Sequence, residues 1–466
     1  MSGEKKILNL SWPILILVGA TFLVYTLFTL LQYWRMDNPS WDLAIFVQGV
    51  RGYADFSAPI VDIKGPGYNQ LGDHFSPLLM LLAPFYKIFP SPVTLLIAQC
   101  VLVAISVYPI TRLGQKLVGV PAGFAIGGAY ALSWGIQSAV AVQFHEYALA
   151  VPLLAFGLVA LVEKQWWQSA VWIGLLLLVK EDLGFTVIAF GLVLWLRGQK
   201  RLAVIMASVG FAGAALVLGF IVPRMNPSSQ YDYWNKLSED QSGENASFFA
   251  NIWRIITSFF SPDVKLYTLA LLALICVGAA LYSPITLMVV PTLLWRFAGS
   301  TEYYWGPTWH YSMILMPIIF VATIDTLGRL KKSSLVTVRW YAISAPWAMA
   351  VISLIVTASF PLSDLFKVDT YKQPERVQAV KNALEVIPPG ASVATDTGMI
   401  VQLSPDRTVY WISTDPSVQP EYVAIDRAMW GGNPPGDLAG YAQSLFPAAS
   451  YSTIFDEGGI VVARRN

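Results

Sequence analysis

The chain is poor in charge. Asp, Glu, Lys and Arg make up 13% of its 466 residues while 55% are hydrophobic, and an ordinary soluble protein, with about a quarter of its residues charged, is excluded by that balance. Cysteine is scarcer still: Cys100 and Cys276 both lie inside apolar runs, where they read as small packed hydrophobes, so no disulfide framework is expected. A net charge of +1 gives no pointer to a nucleic-acid partner. The sequence has no Walker loop, no Gly-x-Gly-x-x-Gly turn opening a helix after a strand, no zinc spacing of cysteines and no His-Glu-x-x-His pair. No internal repeat or low-complexity tract is visible either, which weakens a transporter built from duplicated halves.

Long apolar runs are what the chain does have. Stretches of roughly 20 apolar residues, enough to cross about 30 Å of hydrocarbon, recur along it, and an α-helical polytopic membrane protein is expected. MSGEKK leads into an apolar stretch through about residue 33 that is too long for a signal-peptide core and ends in LQYWRMDN without a cleavage pattern, so this first helix is expected to stay attached. With Lys5 and Lys6 placed inside, the excess of basic residues in cytoplasmic loops orients the rest. About eleven spans result, over about 10–33, 92–113, 118–137, 147–162, 166–179, 183–196, 202–223, 264–282, 284–298, 310–327 and 340–360. Residues 34–91 form the first outer loop, with 75–89 read as an interfacial helix because it is short and interrupted by Pro84. Every basic cluster then falls inside, and the loop 224–262 falls outside.

After Phe360 the pattern changes. RVQAVKNALEVI has helical apolar spacing, PPG stops it, and ASVAT, TVYWI, YVAID and GIVVA read as short strands. Residues 1–360 are thus expected to form the transmembrane domain and 361–466 a small extracytoplasmic α/β domain.

The same bookkeeping gathers ionisable residues on one face: all three histidines, His74, His145 and His310, with Asp42, Asp73, Glu146, Lys180, Glu181, Asp182 and Glu302. Each has a plain reading beside a chemical one. Asp42 in WDLAIF suits a helix cap, or a half-desolvated general base. Asp73 and His74 in GDHFSP suit a capping turn, or a phosphate or phosphate-bound metal contact. FHEYALAVP and VKEDLGF place His145, Glu146, Lys180, Glu181 and Asp182 at span ends, where charges are often only solvated. Convergence of four acid-bearing clusters on one face argues for a cleft. Lys180 is suited to a lipid phosphate, and a rim lysine would cost little packing when removed. TEYYWGPTWHYS, with Glu302 and His310, suits an interfacial aromatic belt or a surface on which sugars stack.

WDLAIFVQGVR, LGDHFSPLL, FHEYALAVPLL and LLVKEDLGF resemble the motifs of a bacterial membrane-protein family of unknown function, domain-of-unknown-function family 2079, which is placed in the GT-C glycosyltransferase superfamily; the likeness covers about residues 35–195. The resemblance implies a GT-C-like helical domain, a polyprenyl-phosphate sugar donor, an outer-face active site in the bacterial cytoplasmic membrane, and an essential acid in the first outer loop at Asp42. It also implies a second acidic motif, which Asp73 with His74 matches. Sugar, acceptor (an envelope glycan, lipid or protein) and any Mg or Mn requirement are not implied. The expected reaction is inverting transfer, with Asp42 as base, Lys180 and His74 or His145 holding phosphate, and Glu146, Glu181 and Asp182 positioning sugar hydroxyls or orienting the histidines. A flippase or transporter of a lipid-linked glycan, or a non-catalytic assembly subunit, is the competing expectation.

Overall fold

Proline and serine punctuate the helices. Ser91 caps helix Pro92–Val118, its hydroxyl accepting from Val93 N–H at 3.3 Å, and Pro92 occupies the first helical position, where its missing N–H costs nothing. The computed structural model describes residues 11–234, 253, 257 and 259–466. Lys5 and Lys6, from which the orientation was reasoned, and most of the loop 224–262 lie outside the described residues.

Among the described residues five helices are long and apolar enough to cross a membrane: Trp12–Trp34, Pro92–Val118, Lys200–Met225, His310–Leu330 and Val336–Thr357. They coincide with five of the eleven expected spans. Others are shorter or broken. The run expected over 118–137 divides into helices Val120–Ala131 and Trp134–Ala141, and those expected over 166–179 and 284–298 are partly 3-10 helix, at Leu175–Leu178 and Pro284–Val289. Helix His310–Leu330 runs through the middle of the bundle, with 83% of its most apolar window buried. The peripheral helices expose Leu23, Phe211, Leu354 and Ile355 outward, an apolar surface that water would not tolerate. Where helices meet closely, small residues permit it: a Cβ on Gly127 would strike Thr111 of the neighbouring helix.

Between the first two long helices the chain forms helix Asp42–Ala54, a loop, and a short helix Pro77–Ile88 whose Met80, Leu81, Phe85 and Ile88 face outward, as suits a segment lying along a membrane surface.

The C-terminal segment carries strands β1 (Ser392–Thr395), β2 (Thr408–Trp411), β3 (Tyr422–Asp426), β4 (Tyr451–Glu457) and β5 (Ile460–Arg465) in one sheet, ordered β2-β1-β3-β5-β4. β1 is parallel to β2 and β3, and β5 is antiparallel to β3 and β4. Alternation assigns the faces: Ala394, Val423, Ile425 and Val461 pack with Leu438 and Ala442 of helix Leu438–Leu445. Val393, Ala424 and Val462 pack on the other face with Val377 and Val380 of helix Arg376–Val386, in an apolar core that continues into the helical body. Polar bonds add to this seam. Gln48 Nε2 donates to Val409 O at 3.0 Å, Arg51 donates to Arg407 O at 2.9 Å, and Arg376 joins Asp426 at 2.7 Å and Met36 O at 2.8 Å.

Candidate functional site

The start of helix Asp42–Ala54, the 70–75 turn, and the N-terminal ends of helices Tyr147–Val162 and Leu183–Leu196 converge beneath the α/β unit around a cavity of about 910 Å³. Nine of the ten residues singled out in the sequence line it: Asp42, Asp73, His74, His145, Glu146, Lys180, Glu181, Asp182 and His310. Glu302 does not. It is exposed on the 3-10 turn Glu302–Tyr304, and its neighbours Thr301, Tyr303 and Tyr304 face the cavity instead.

The cap expected at Asp42 is not made: Asp42 is the first residue of its helix and no side-chain cap bond forms there, nor at the helix starts that follow Glu146 and Asp182. Their carboxylates are spent on one another's neighbours. Asp42 accepts from Ser40 Oγ at 2.8 Å and lies 3.3 Å from His145 Nε2, close but not aligned for a hydrogen bond. His145 stacks on His310 with ring centroids 3.6 Å apart. Asp73 is paired with Lys64 and accepts from Tyr233 Oη at 3.1 Å, while the same hydroxyl lies 3.0 Å from His74 Nε2. Glu181 takes His74 Nδ1 at 2.7 Å, Phe75 N–H at 3.0 Å and Tyr231 Oη at 3.1 Å. Lys180 Nζ lies 2.6 Å from Glu146 Oε1 and 4.6 Å from the centre of the Tyr147 ring. Asp182 accepts from Tyr147 Oη at 2.7 Å through one oxygen, and its other, Oδ1, is buried without a partner.

These surroundings set the protonation. Burial would raise Asp73, but the charges of His74 and Lys64 outweigh it and hold the carboxyl down to about 2. Burial likewise opposes ionisation of Asp42, and contact with His145, the Ser40 bond and the charge of Lys64 win, leaving it below its ordinary 3.8. That corrects the expectation that aromatic neighbours would make Asp42 unusually basic. Asp182 is the acid that burial does raise, with the charges of Glu181 and Glu146 adding to the effect, to about 6.

Sequence reading missed Lys64, Tyr231 and Tyr233, which line the cavity and join its ionic network. Lys64 sits in IKGPGYN, where flanking turn residues make a lysine read as solvated. No local signal marks the tyrosines, whose partners lie 50 to 160 residues away. Among the described residues no three His, Cys, Asp or Glu side chains converge as a metal ligand set.

The other half of the cavity is apolar. Phe185, Ile188, Ala189 and Leu192 recur at helical spacing along Leu183–Leu196, with Pro291, Leu294 and Trp295 also in the wall, and Leu192 and Leu294 are about half exposed.

The family described as "Predicted membrane protein (DUF2079)" matches residues 32–462. The chain belongs to this family. No curated protein matches the chain. The crystal structure of ArnT from Cupriavidus metallidurans bound to undecaprenyl phosphate is similar at a TM-score of 0.57 and 12% identity over 97% of each chain. The apo state of ArnT is similar at 0.55 and 11%, again over 97% of each chain. Identities this low show the fold alone: a largely helical body with a small C-terminal sheet, arranged like ArnT.

Proposed function

We propose that this membrane protein is a glycosyltransferase that moves a sugar from a polyprenyl-phosphate donor to an envelope glycan, lipid or protein acceptor on the outer face of the bacterial cytoplasmic membrane. The observation that carries the proposal is the joining, in one cavity, of an ionic chamber and an apolar groove along helix Leu183–Leu196. A sugar-phosphate on an isoprenoid chain has those two halves in that order. A likeness in fold to a protein captured with undecaprenyl phosphate supports the same reading.

In this mechanism the isoprenoid lies against Phe185, Leu192 and Leu294, and its phosphate enters the ionic chamber. Five carboxylates face two lysines there, so the phosphate is held only by sharing Lys64 with Asp73 and Lys180 with Glu146. Asp42, 27% exposed and engaged by no lysine, takes the proton from the acceptor hydroxyl. The oxygen forms a bond to the anomeric carbon as the bond to phosphate oxygen breaks, and the phosphate departs on its lipid. Attack opposite the phosphate inverts the anomeric configuration. Protonated His74 and the lysines stabilise the leaving charge. Asp182, Tyr304 and Trp309 surround the place left for the sugar.

Undecaprenyl phosphate tests the donor half directly. It is expected to raise the melting temperature of the solubilised protein saturably, while undecaprenol, which lacks the phosphate, is not. Equal stabilisation by the two lipids, or by neither, contradicts the proposal.

A further inference from the structure

A second cavity of about 530 Å³ lies where the first loop, residues 226–232 and the C-terminal sheet meet, and it is built differently from the first. Two tryptophans stand in its wall, Trp41 from the helical body and Trp411 from the end of β2, edge to face with centroids 5.1 Å apart. Tyr68 adds a third ring, and Asn226, Asp232 and Thr414 add polar groups. Thr414 Oγ1 makes no hydrogen bond within the protein.

The wall is prepared in advance. Buried Asn226 donates to Gly72 O at 2.9 Å and Asp232 Oδ2 at 2.8 Å, its amide nitrogen lies 3.1 Å from Tyr68 Oη, and its oxygen accepts from Ser228 N–H at 2.8 Å. Gly72 permits this closeness, since a Cβ there would strike the backbone of Met225. Aromatic faces beside planar amide and carboxylate groups match the two sides of a pyranose, its C–H face and its hydroxyl rim. The charge balance narrows the class. Asp232 and Asp415 face this cavity, and Lys64 is already paired with Asp73, so an anionic ligand is repelled and a neutral or amino sugar is not.

Position gives the cavity its role. Trp41 and Lys64 line both cavities, and Asp42 follows Trp41. We infer that the second cavity binds a neutral or amino saccharide, the glycan part of the acceptor, and presents one of its hydroxyls past Trp41 to Asp42. This role rests on the transferase reading above. It also gives the C-terminal unit a function, because Trp411, Thr414 and Asp415 all come from it.

Saturation-transfer NMR on the full solubilised chain, with maltose and N,N′-diacetylchitobiose as neutral probes and glucuronate as the anionic one, tests the inference. Both disaccharides are expected to receive saturation and glucuronate is not. Trp411→Ala should weaken disaccharide binding about tenfold, the loss of roughly one aromatic contact, with undecaprenyl phosphate stabilisation unchanged. Thr414→Val, which keeps the shape and removes the hydroxyl, gives the same direction should Trp411→Ala fold poorly. Absence of saturation transfer to both disaccharides, stronger binding of glucuronate, or indifference to Thr414→Val overturns the inference. The two readings fail separately: undecaprenyl phosphate binding without saccharide binding sinks the second cavity alone, and the reverse sinks the donor proposal.

Discussion

His74 Nδ1 lies 2.7 Å from Glu181 Oε1, tying two segments 107 residues apart across the cavity. Burial and the Lys180 charge lower the His74 pKa, and the charges of Asp73 and Glu181 with the Glu181 bond raise it by more, leaving it above its ordinary 6.5. A base raised on folding stabilises fully below the unfolded pKa and loses that stabilisation as pH climbs through the native value. The melting temperature should therefore carry a His74 contribution that is full below the ordinary 6.5 and is lost as pH climbs through the raised native value, and His74→Gln should remove it. Parallel pH curves for parent and variant contradict this assignment.

Lys180 is no solvated rim lysine. Its side chain is 8% exposed and that of its partner Glu146 is 1% exposed, so the expectation that its removal would cost little is corrected. Lys180→Ala leaves a buried carboxylate unpaired, at a cost of about 3–5 kcal/mol. Lys180→Met combined with Glu146→Gln should cost less than either single change. Thermal melts of the four proteins decide this, and a fully additive double variant would show that the pair is not coupled.

Asp182, raised to about 6, ionises within the working range, whereas Asp42 is ionised throughout it. If ionised Asp182 accepts a sugar hydroxyl, kcat/KM for transfer rises through about pH 6 and Asp182→Asn abolishes that limb. An unchanged limb in Asp182→Asn removes the residue from the pH profile.

Orientation is testable through Ser417, exposed on the α/β unit. Ser417→Cys should react with a membrane-impermeant thiol reagent in intact cells, and the native Cys100 and Cys276, both buried, should stay silent. Protection of Cys introduced at that position, with labelling only after lysis, reverses the proposed topology.

Contiguous motifs made much of the site legible. Asp73 with His74, His145 with Glu146, and Lys180 to Asp182 each announce themselves as ionisable groups interrupting apolar sequence. Their partners do not, because pairings such as Tyr233 with Asp73, 160 residues apart, depend on how the chain closes. Glu302 carried the same signal and points elsewhere, since one position along a 3-10 turn changes the direction of a side chain. In the fold, apolar length located the long helices, but hydropathy does not register the break at Leu132 and Ser133 or the 3-10 turns within apolar runs. Four of the five strands of the tail were readable from β-branched runs, and β4, Tyr451–Glu457, was missed. The continuity of one sheet face with the helical core was not, because it is a long-range packing choice.

Transfer turns on Asp42, and the decisive comparison is release of polyprenyl phosphate from the native membrane's lipid-phosphate sugars by the purified parent and by Asp42→Asn. Asparagine keeps the size of the side chain and an oxygen for Ser40 but cannot take a proton. The variant is expected to melt like the parent and bind undecaprenyl phosphate equally well, yet turn over about a hundredfold to ten-thousandfold more slowly. Turnover equal to the parent in that well-folded, lipid-binding variant would remove Asp42 as the base.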